Sequence, residues 1–275
     1  MRHSFIHNRR FSLLVIFAVV VAFSYARTKR TVHVAAAGTL SNYISEAEKY
    51  KIEELTLTGE LNGTDFRLLR DMAGNNYQGQ ITNGKLVKLD ISGAKIVEGG
   101  YKYLETNRIY FLNGGYWGRE FYLSTQNEDF GSFLFAGCNV LQEVVLPKSL
   151  KRISNNAFVH NTNLESLVIP QNVSYIGNQI INSCNNIKSI YVEEGNVIYD
   201  SRDGCNAIIE TATNKLIVGC KGTIIPEGIT EIGNYAFYSC SELTSLKIPS
   251  SVEIIGEYNQ EIKGKTNVEI IPVSA

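Results

Sequence analysis

Apolar residues in the second half of the chain recur on a fixed step rather than at random. Residues 131–153 read GSFLFAGCNVLQEVVLPKSLKRI, and the pattern restarts at Ser154, Gly177, Gly233 and Gly256. The steps from 131 to 154, from 154 to 177 and from 233 to 256 are each 23 residues. Aligned this way, the columns agree in chemistry. Phe135, Phe158, Ile181 and Phe237 share the fifth, and Leu141, Leu164, Ile187 and Leu243 the eleventh. Val144, Leu167, Ile190 and Leu246 form the fourteenth, and Leu146, Ile169, Val192 and Ile248 the sixteenth. Pro147, Pro170 and Pro249 follow, and Ile153, Ile176 and Ile255 close the units.

The two apolar positions one residue apart, as in Leu246-x-Ile248, predict a strand that points both inward. A unit of this size cannot bury its apolar columns alone. Units must stack, placing like residues on like and pairing neighbouring strands in parallel. Proline directly after the strand ends the ladder because it has no amide to donate. The Ala-Phe pair is expected to drop an aromatic wedge into the far side of the coil. Residues 200–232 carry ten extra residues, yet Pro226, Ile229 and Ile232 restore the closing pattern. Within them, apolar runs at 207–209 and 216–218 flank the polar TATN, which predicts a β-hairpin.

The run L-x-x-L-x-I-P with A-F-x-x-C upstream resembles the BspA-like leucine-rich repeats of secreted and cell-surface bacterial proteins. The resemblance is strongest over 131–255, weakest between 97 and 130, and reaches back to about residue 38. Ile52-Leu55-Leu57 and Leu86-Leu89-Ile91 also fit the strand motif, 34 residues apart, behind a polar cap LSNYISEAEKY expected to be helical. One departure is that the usual Asn ladder position reads Ser149, Asn172, Gly195 and Ser251, which predicts less uniform bonding along that turn. The resemblance implies an α/β solenoid, a right-handed curved coil of leucine-rich repeats with a parallel β-sheet and repeats of about 23 residues.

The N-terminus follows a different grammar. Arg2, Arg9 and Arg10 precede the apolar run FSLLVIFAVVVAF at 11–23, and Ser24-Tyr25-Ala26 supplies small residues for cleavage. That predicts a secretory signal over 1–26, then a cap with irregular repeats over 27–130 and regular repeats over 131–275. The first cysteine is Cys138, so a lipid anchor at the cleavage point is not expected, and no later apolar run reaches 18 residues. Removing 1–26 takes three arginines and no acids, leaving 23 basic against 27 acidic residues. A mildly acidic chain without a Lys/Arg cluster is a poor partner for nucleic acid.

Candidate chemistry is sparse. Beyond residue 26 the histidines are His33 and His160, and His160 falls in the seventh column, where Gly137, Ser183 and Ser239 predict a permissive turn. A Ser-His-Asp or Cys-His mechanism would have to run through one of these two. No phosphate loop, dinucleotide glycine pattern or HExxH occurs. Glu193 with Glu194, and Asp200 with Asp203, read as solvated turns rather than a catalytic carboxylate pair. No catalytic residue, cofactor or metal is expected.

Of the five cysteines, Cys138, Cys184 and Cys240 share the eighth column with Asn161 and read as small packed residues. Cys205 and Cys220 lie symmetrically about the hairpin midpoint, so a disulfide between them and a pair of free thiols both fit. Residues 101–122 concentrate aromatics, including Tyr110, Tyr116, Trp117 and Tyr122, which either stack on a ligand or fill the joint between irregular and regular repeats.

The role that the resemblance and the signal imply is non-enzymatic binding or adhesion through the sheet face, with a protein or glycan as partner. The outward strand positions are Glu143, Val145, Ser166, Val168, Ser189, Tyr191, Ser245 and Lys247. A carbohydrate-active hydrolase and a structural spacer at the cell envelope are the competing readings.

Overall fold

The computed structural model describes residues 27–106, 121–259, 262 and 268–271; the predicted signal over 1–26 lies outside the described residues. Strands β1 (Lys29–Val34), β2 (Glu54–Leu61) and β3 (Lys88–Ile96) are parallel, with Leu55 paired to Leu89. Leu55, Leu57, Leu89 and Ile91 are buried, as the irregular motifs predict.

Between β2 and β3 lies α1 (Gly63–Met72). It starts at Asn62, whose side chain accepts from the Thr64 amide at 3.0 Å while Asp65 Oδ2 accepts from the Asn62 amide at 2.9 Å. The expected helical cap over 40–50 is instead a 3₁₀ turn, Leu40–Asn42, followed by turns. Ser45 binds Glu48 through its hydroxyl at 2.8 Å, closing one turn locally rather than starting a helix.

An antiparallel pair, β4 (Gly99–Thr106) and β5 (Phe121–Thr125), joins this part to the regular repeats. Each regular unit then supplies two strands. The leading strands are β7 (Glu143–Val145), β9 (Ser166–Ile169) and β11 (Ser189–Val192). Short trailing strands β6 (Asp129–Phe130), β8 (Arg152–Ile153) and β10 (Tyr175–Ile176) stack at the closing isoleucines. β11 pairs with β9 on the 23-residue step, Ile190 opposite Leu167 and Val192 opposite Ile169, all four buried.

The trailing ladder resumes through β12 (Tyr199–Asp200), β13 (Ala207–Glu210), β14 (Lys215–Gly219), β15 (Glu231–Ile232) and β17 (Ile254–Ile255). β13 and β14 are the predicted antiparallel hairpin. A last pair of leading strands, β16 (Leu246–Pro249) and β18 (Val268–Ile271), is again parallel. The architecture is a repeat fold built mostly from strands with little helix, so the expected α/β composition is corrected: most of the remaining connections among the described residues are turns.

Those turns have a common geometry. The third and seventh columns take positive φ in unit after unit: Phe133, Asn156, Gln179 and Tyr235 in one, Gly137, His160, Ser183 and Ser239 in the other. The seventh column is therefore not indifferent to residue type, because left-handed backbone excludes β-branched side chains.

The core is not one column but two. Leu141, Leu164 and Ile187 belong to one cluster and Leu243 to a second. The hairpin is the wall between them: Ile208, Val218 and Cys220 face the first, and Cys205, Ala207, Ile209 and Leu216 the second.

Candidate recognition surface

Alternation along the leading strands aims every second side chain out of the core. On β9 and β11, Leu167, Ile169, Ile190 and Val192 are buried, which leaves Val168 39% and Tyr191 48% exposed with Ser189 exposed and Ser166 half-buried beside them. Glu143 and Val145 on β7 are half-buried. Parallel pairing lines these residues into two rows. One runs Lys29, Glu54, Lys88 and Glu143 across β1 to β7; the other runs Thr31, Thr56, Asp90 and Val145. The Glu165 amide donates to the Gln142 carbonyl at 3.0 Å, so the step of 23 carries the rows on to Ser166 and Val168, and β9–β11 pairing to Ser189 and Tyr191.

The first row neutralises itself. Lys29 binds Glu54 at 2.8 Å and Lys88 binds Glu143 at 2.7 Å. The Lys29 hydrogen bond lowers the Glu54 pKa, and the Glu143 hydrogen bond raises that of Lys88. The second row ends in the apolar run Val145, Val168 and Tyr191. Lys29, Glu54, Lys88, Thr31, Thr56 and Asp90 were not singled out in the sequence. The signal was present, because Thr56 and Asp90 sit between the two apolar residues of a recognised strand motif.

The predicted strip is not continuous. Ser245 and Lys247 are exposed, but β16 pairs with β18 and not with β11. Of the aromatic group, Tyr110, Tyr116 and Trp117 lie outside the described residues, and Tyr122 on β5 is 54% exposed.

Of the two alternatives for Cys205 and Cys220 the structure takes free thiols, as it does for the other three cysteines. Near the turn the hairpin keeps the symmetric register, Glu210 opposite Lys215 and Ile209 opposite Leu216. A bulge between Ile208 and Ile209 then shifts pairing by one, so that Ala207 meets Gly219. A one-residue shift turns a side chain to the other face. Cys205 enters the second core and Cys220 the first. In the eighth column, burial pushes the Cys138 thiol up to about 11 and that of Cys184 to about 12, which suits packed residues rather than nucleophiles.

Three of the other ionisable candidates act in structural bonds. His33 Nδ1 lies 2.9 Å from Thr58 Oγ1, and Glu193 accepts from the Gln171 amide at 2.9 Å. Asp200 is not a solvated turn acid; it binds Arg202 and accepts from Thr211 at 2.8 Å. Among the described residues no three His, Cys, Asp or Glu side chains gather as metal ligands, and no helix is long and apolar enough to cross a membrane.

The irregular part also builds a lid on the repeat ladder. In regular units the third, fifth and seventh columns donate their amides to the next unit: Phe133, Phe135 and Gly137 to the carbonyls of Asn155, Ala157 and Val159. The first turn has no regular unit before it, so its own carbonyls need other donors. The Tyr103 hydroxyl donates to Ser132 at 2.7 Å, and Arg70 donates to Leu134 at 2.8 Å, Phe133 at 3.1 Å and Ala136 at 3.3 Å. Arg70 is fully buried and forms no ion pair among the described residues, and burial lowers its pKa.

Three comparisons place this arrangement. A family profile described as BspA type leucine rich repeat region matches residues 118–205 and 208–270 in six copies. No curated protein matches the sequence. Among solved structures, a leucine rich cell surface protein from Faecalibacterium prausnitzii A2-165 is 19% identical, with a TM-score of 0.44 over 85% of this chain and 58% of that one. The pneumococcal vaccine antigen PcpA is 19% identical, with a TM-score of 0.48 over 90% of this chain and 61% of that one. A leucine-rich repeat protein from Eubacterium ventriosum ATCC 27560 is 16% identical, with a TM-score of 0.39 over 83% of this chain and 62% of that one. The chain thus spans about three fifths of the length of these solved chains. With the profile covering more than half of its length, the chain belongs to the BspA-type leucine-rich repeat family.

Proposed function

We propose that this protein is an exported, non-enzymatic recognition module that binds a protein partner through the outward face of its leading strands. The observation that carries this reading is the row Val145, Val168 and Tyr191. These are apolar side chains on a sheet face, two of them well exposed, beside charges already paired with one another. Side chains of this kind gain most from being covered by another protein surface.

The same reading includes a right-handed, curved solenoid, export by a signal over 1–26, an N-terminal cap over 27–130 and regular repeats over 131–275. The ladders on a 23-residue step support the coil. The three solved relatives are titled as a cell surface protein, a vaccine antigen and a leucine-rich repeat protein. Those titles accord with a surface location. Ser245 and Lys247 form a separate, more polar contact zone, and Tyr122 a third, beside Tyr110, Tyr116 and Trp117 in sequence.

The test is a panel of extracellular-matrix proteins and glycans probed with residues 27–275. We expect a protein hit that weakens at least tenfold on Tyr191→Ala and less on Lys247→Ala. Glycan-only binding, or sustained turnover of a glycan, overturns the reading.

A further inference from the structure

The amide ladder on the turn side of the repeats stops short. Asn156, Phe158 and His160 donate to the carbonyls of Asn178, Ile180 and Asn182 at 3.0, 2.8 and 2.8 Å. The equivalent amides one unit later, those of Gln179, Ile181 and Ser183, meet no acceptor among the described residues. The enlarged unit is the reason. The first strand of its hairpin, β13, runs as the wall between the two cores and supplies no turn segment. When the chain returns as β14, one edge is taken by β13, and the Gly219 amide already donates onward to Ala236 at 2.8 Å.

The missing segment leaves a cleft whose walls include Ile181, Asn182, Cys184, Ile217, Tyr238 and Cys240. Asn185 also lines it, and its Oδ1 is buried with no hydrogen-bond partner among the described residues. Donors on every second residue match a polypeptide backbone, whose carbonyls face one side with the same period; sugar hydroxyls have no such spacing. In the preceding unit the complementary acceptors are supplied by a stretch of this chain itself.

We propose that this cleft binds an extended segment of a partner protein, whose alternate carbonyls accept hydrogen bonds from the Gln179, Ile181 and Ser183 amides. The half-apolar walls take its small or apolar side chains, as the core takes Ala157 and Ile180. This site is separate from the sheet face and does not depend on it.

The probe is a dye-labelled peptide NNAFVHN, the sequence of residues 155–161, titrated into the full chain lacking 1–26 and followed by polarisation. Saturable binding is expected. It should weaken at least tenfold when the acceptor carbonyls at positions 155, 157 and 159 are made into ester carbonyls, and again when Cys240, the one thiol of the five that is not buried, is alkylated. Amide exchange at Gln179, Ile181 and Ser183 should slow on peptide addition, and Tyr191→Ala should leave the titration unchanged. No saturation at millimolar peptide overturns the proposal, as does binding that leaves the three amides exchanging at the free rate. Protection that comes from self-association of the chain also overturns it, since the occupant is then a second copy.

Discussion

At the scale of single residues, the most consequential side chain is one that the repeat pattern does not contain. Arg70 stands in for amides that a preceding unit would have donated, so its removal leaves buried carbonyls unpaired. An unsatisfied buried polar group costs about 1–3 kcal/mol. Arg70→Met is therefore expected to lower unfolding free energy by about 3 kcal/mol or more in urea titrations, against about 1 kcal/mol for Tyr103→Phe. The seventh column gives a second test. Ser183 has φ 59°, and a β-branched side chain resists that region, so Ser183→Val should cost about 1–2 kcal/mol while Ser183→Gly is tolerated. His160 occupies the same column, and burial lowers its pKa from 6.5. A depressed histidine pKa means that the folded state disfavours the charged ring. Its neutral form costs nothing above the unfolded value, and stability falls as pH drops through 6.5 towards the folded value. His160→Asn, which accepts the same backbone, should flatten that part of the profile when urea midpoints are compared from pH 7.5 to 5.

At the scale of elements, the hairpin β13–β14 decides most of what departs from the regular repeat. Its bulge sends Cys205 and Cys220 to opposite faces, so five thiols alkylatable after denaturation without reductant and a melting temperature insensitive to reductant are expected. It also brings Gly219 against the aromatic wedge of the following unit. A Cβ there would lie 2.4 Å from Phe237 Cε1, so Gly219→Ala should cost about 1–3 kcal/mol by forcing the ring from its place. Both strands and the TATN turn were legible from apolar runs around a polar tetrapeptide. The bulge was not, because either register satisfies the local alternation, and only packing between two cores selects one. The helix α1 was likewise unread: its Asn62-x-x-Asp65 cap is short, and its apolar face answers to a ladder end that no local pattern announces.

At the scale of the whole molecule, the wall between the two cores predicts how the fold comes apart. Stacked repeats gain stability mainly from their nearest neighbours, so a break in the core is a break in cooperativity. Phe158 stacks on Phe130 at 4.8 Å in the first core, whereas Phe237 belongs to the second. Either aromatic truncated to alanine should cost about 3–5 kcal/mol locally. Hydrogen exchange should then show Phe237→Ala loosening residues 207–259 while 27–199 keep their protection, and Phe158→Ala doing the reverse. A uniform loss across the chain would show a single cooperative unit instead.

What the amino-acid order determined by itself is the repeat: its 23-residue step, its inward columns and its strand positions. These follow from a local rule, alternation of apolar and polar residues, that any stack must obey. Leu167, Ile169, Ile190 and Val192 could be assigned to the interior before any contact was known. Tertiary structure alone decided where the stack is sealed, where it is split and where it is left open. Arg70 at one end, the bulged hairpin at the divide and the idle amides of Gln179, Ile181 and Ser183 answer to neighbours far away in sequence. Hydrogen-bond supply and demand at the ends of a ladder is a property of the assembled chain, not of any window along it.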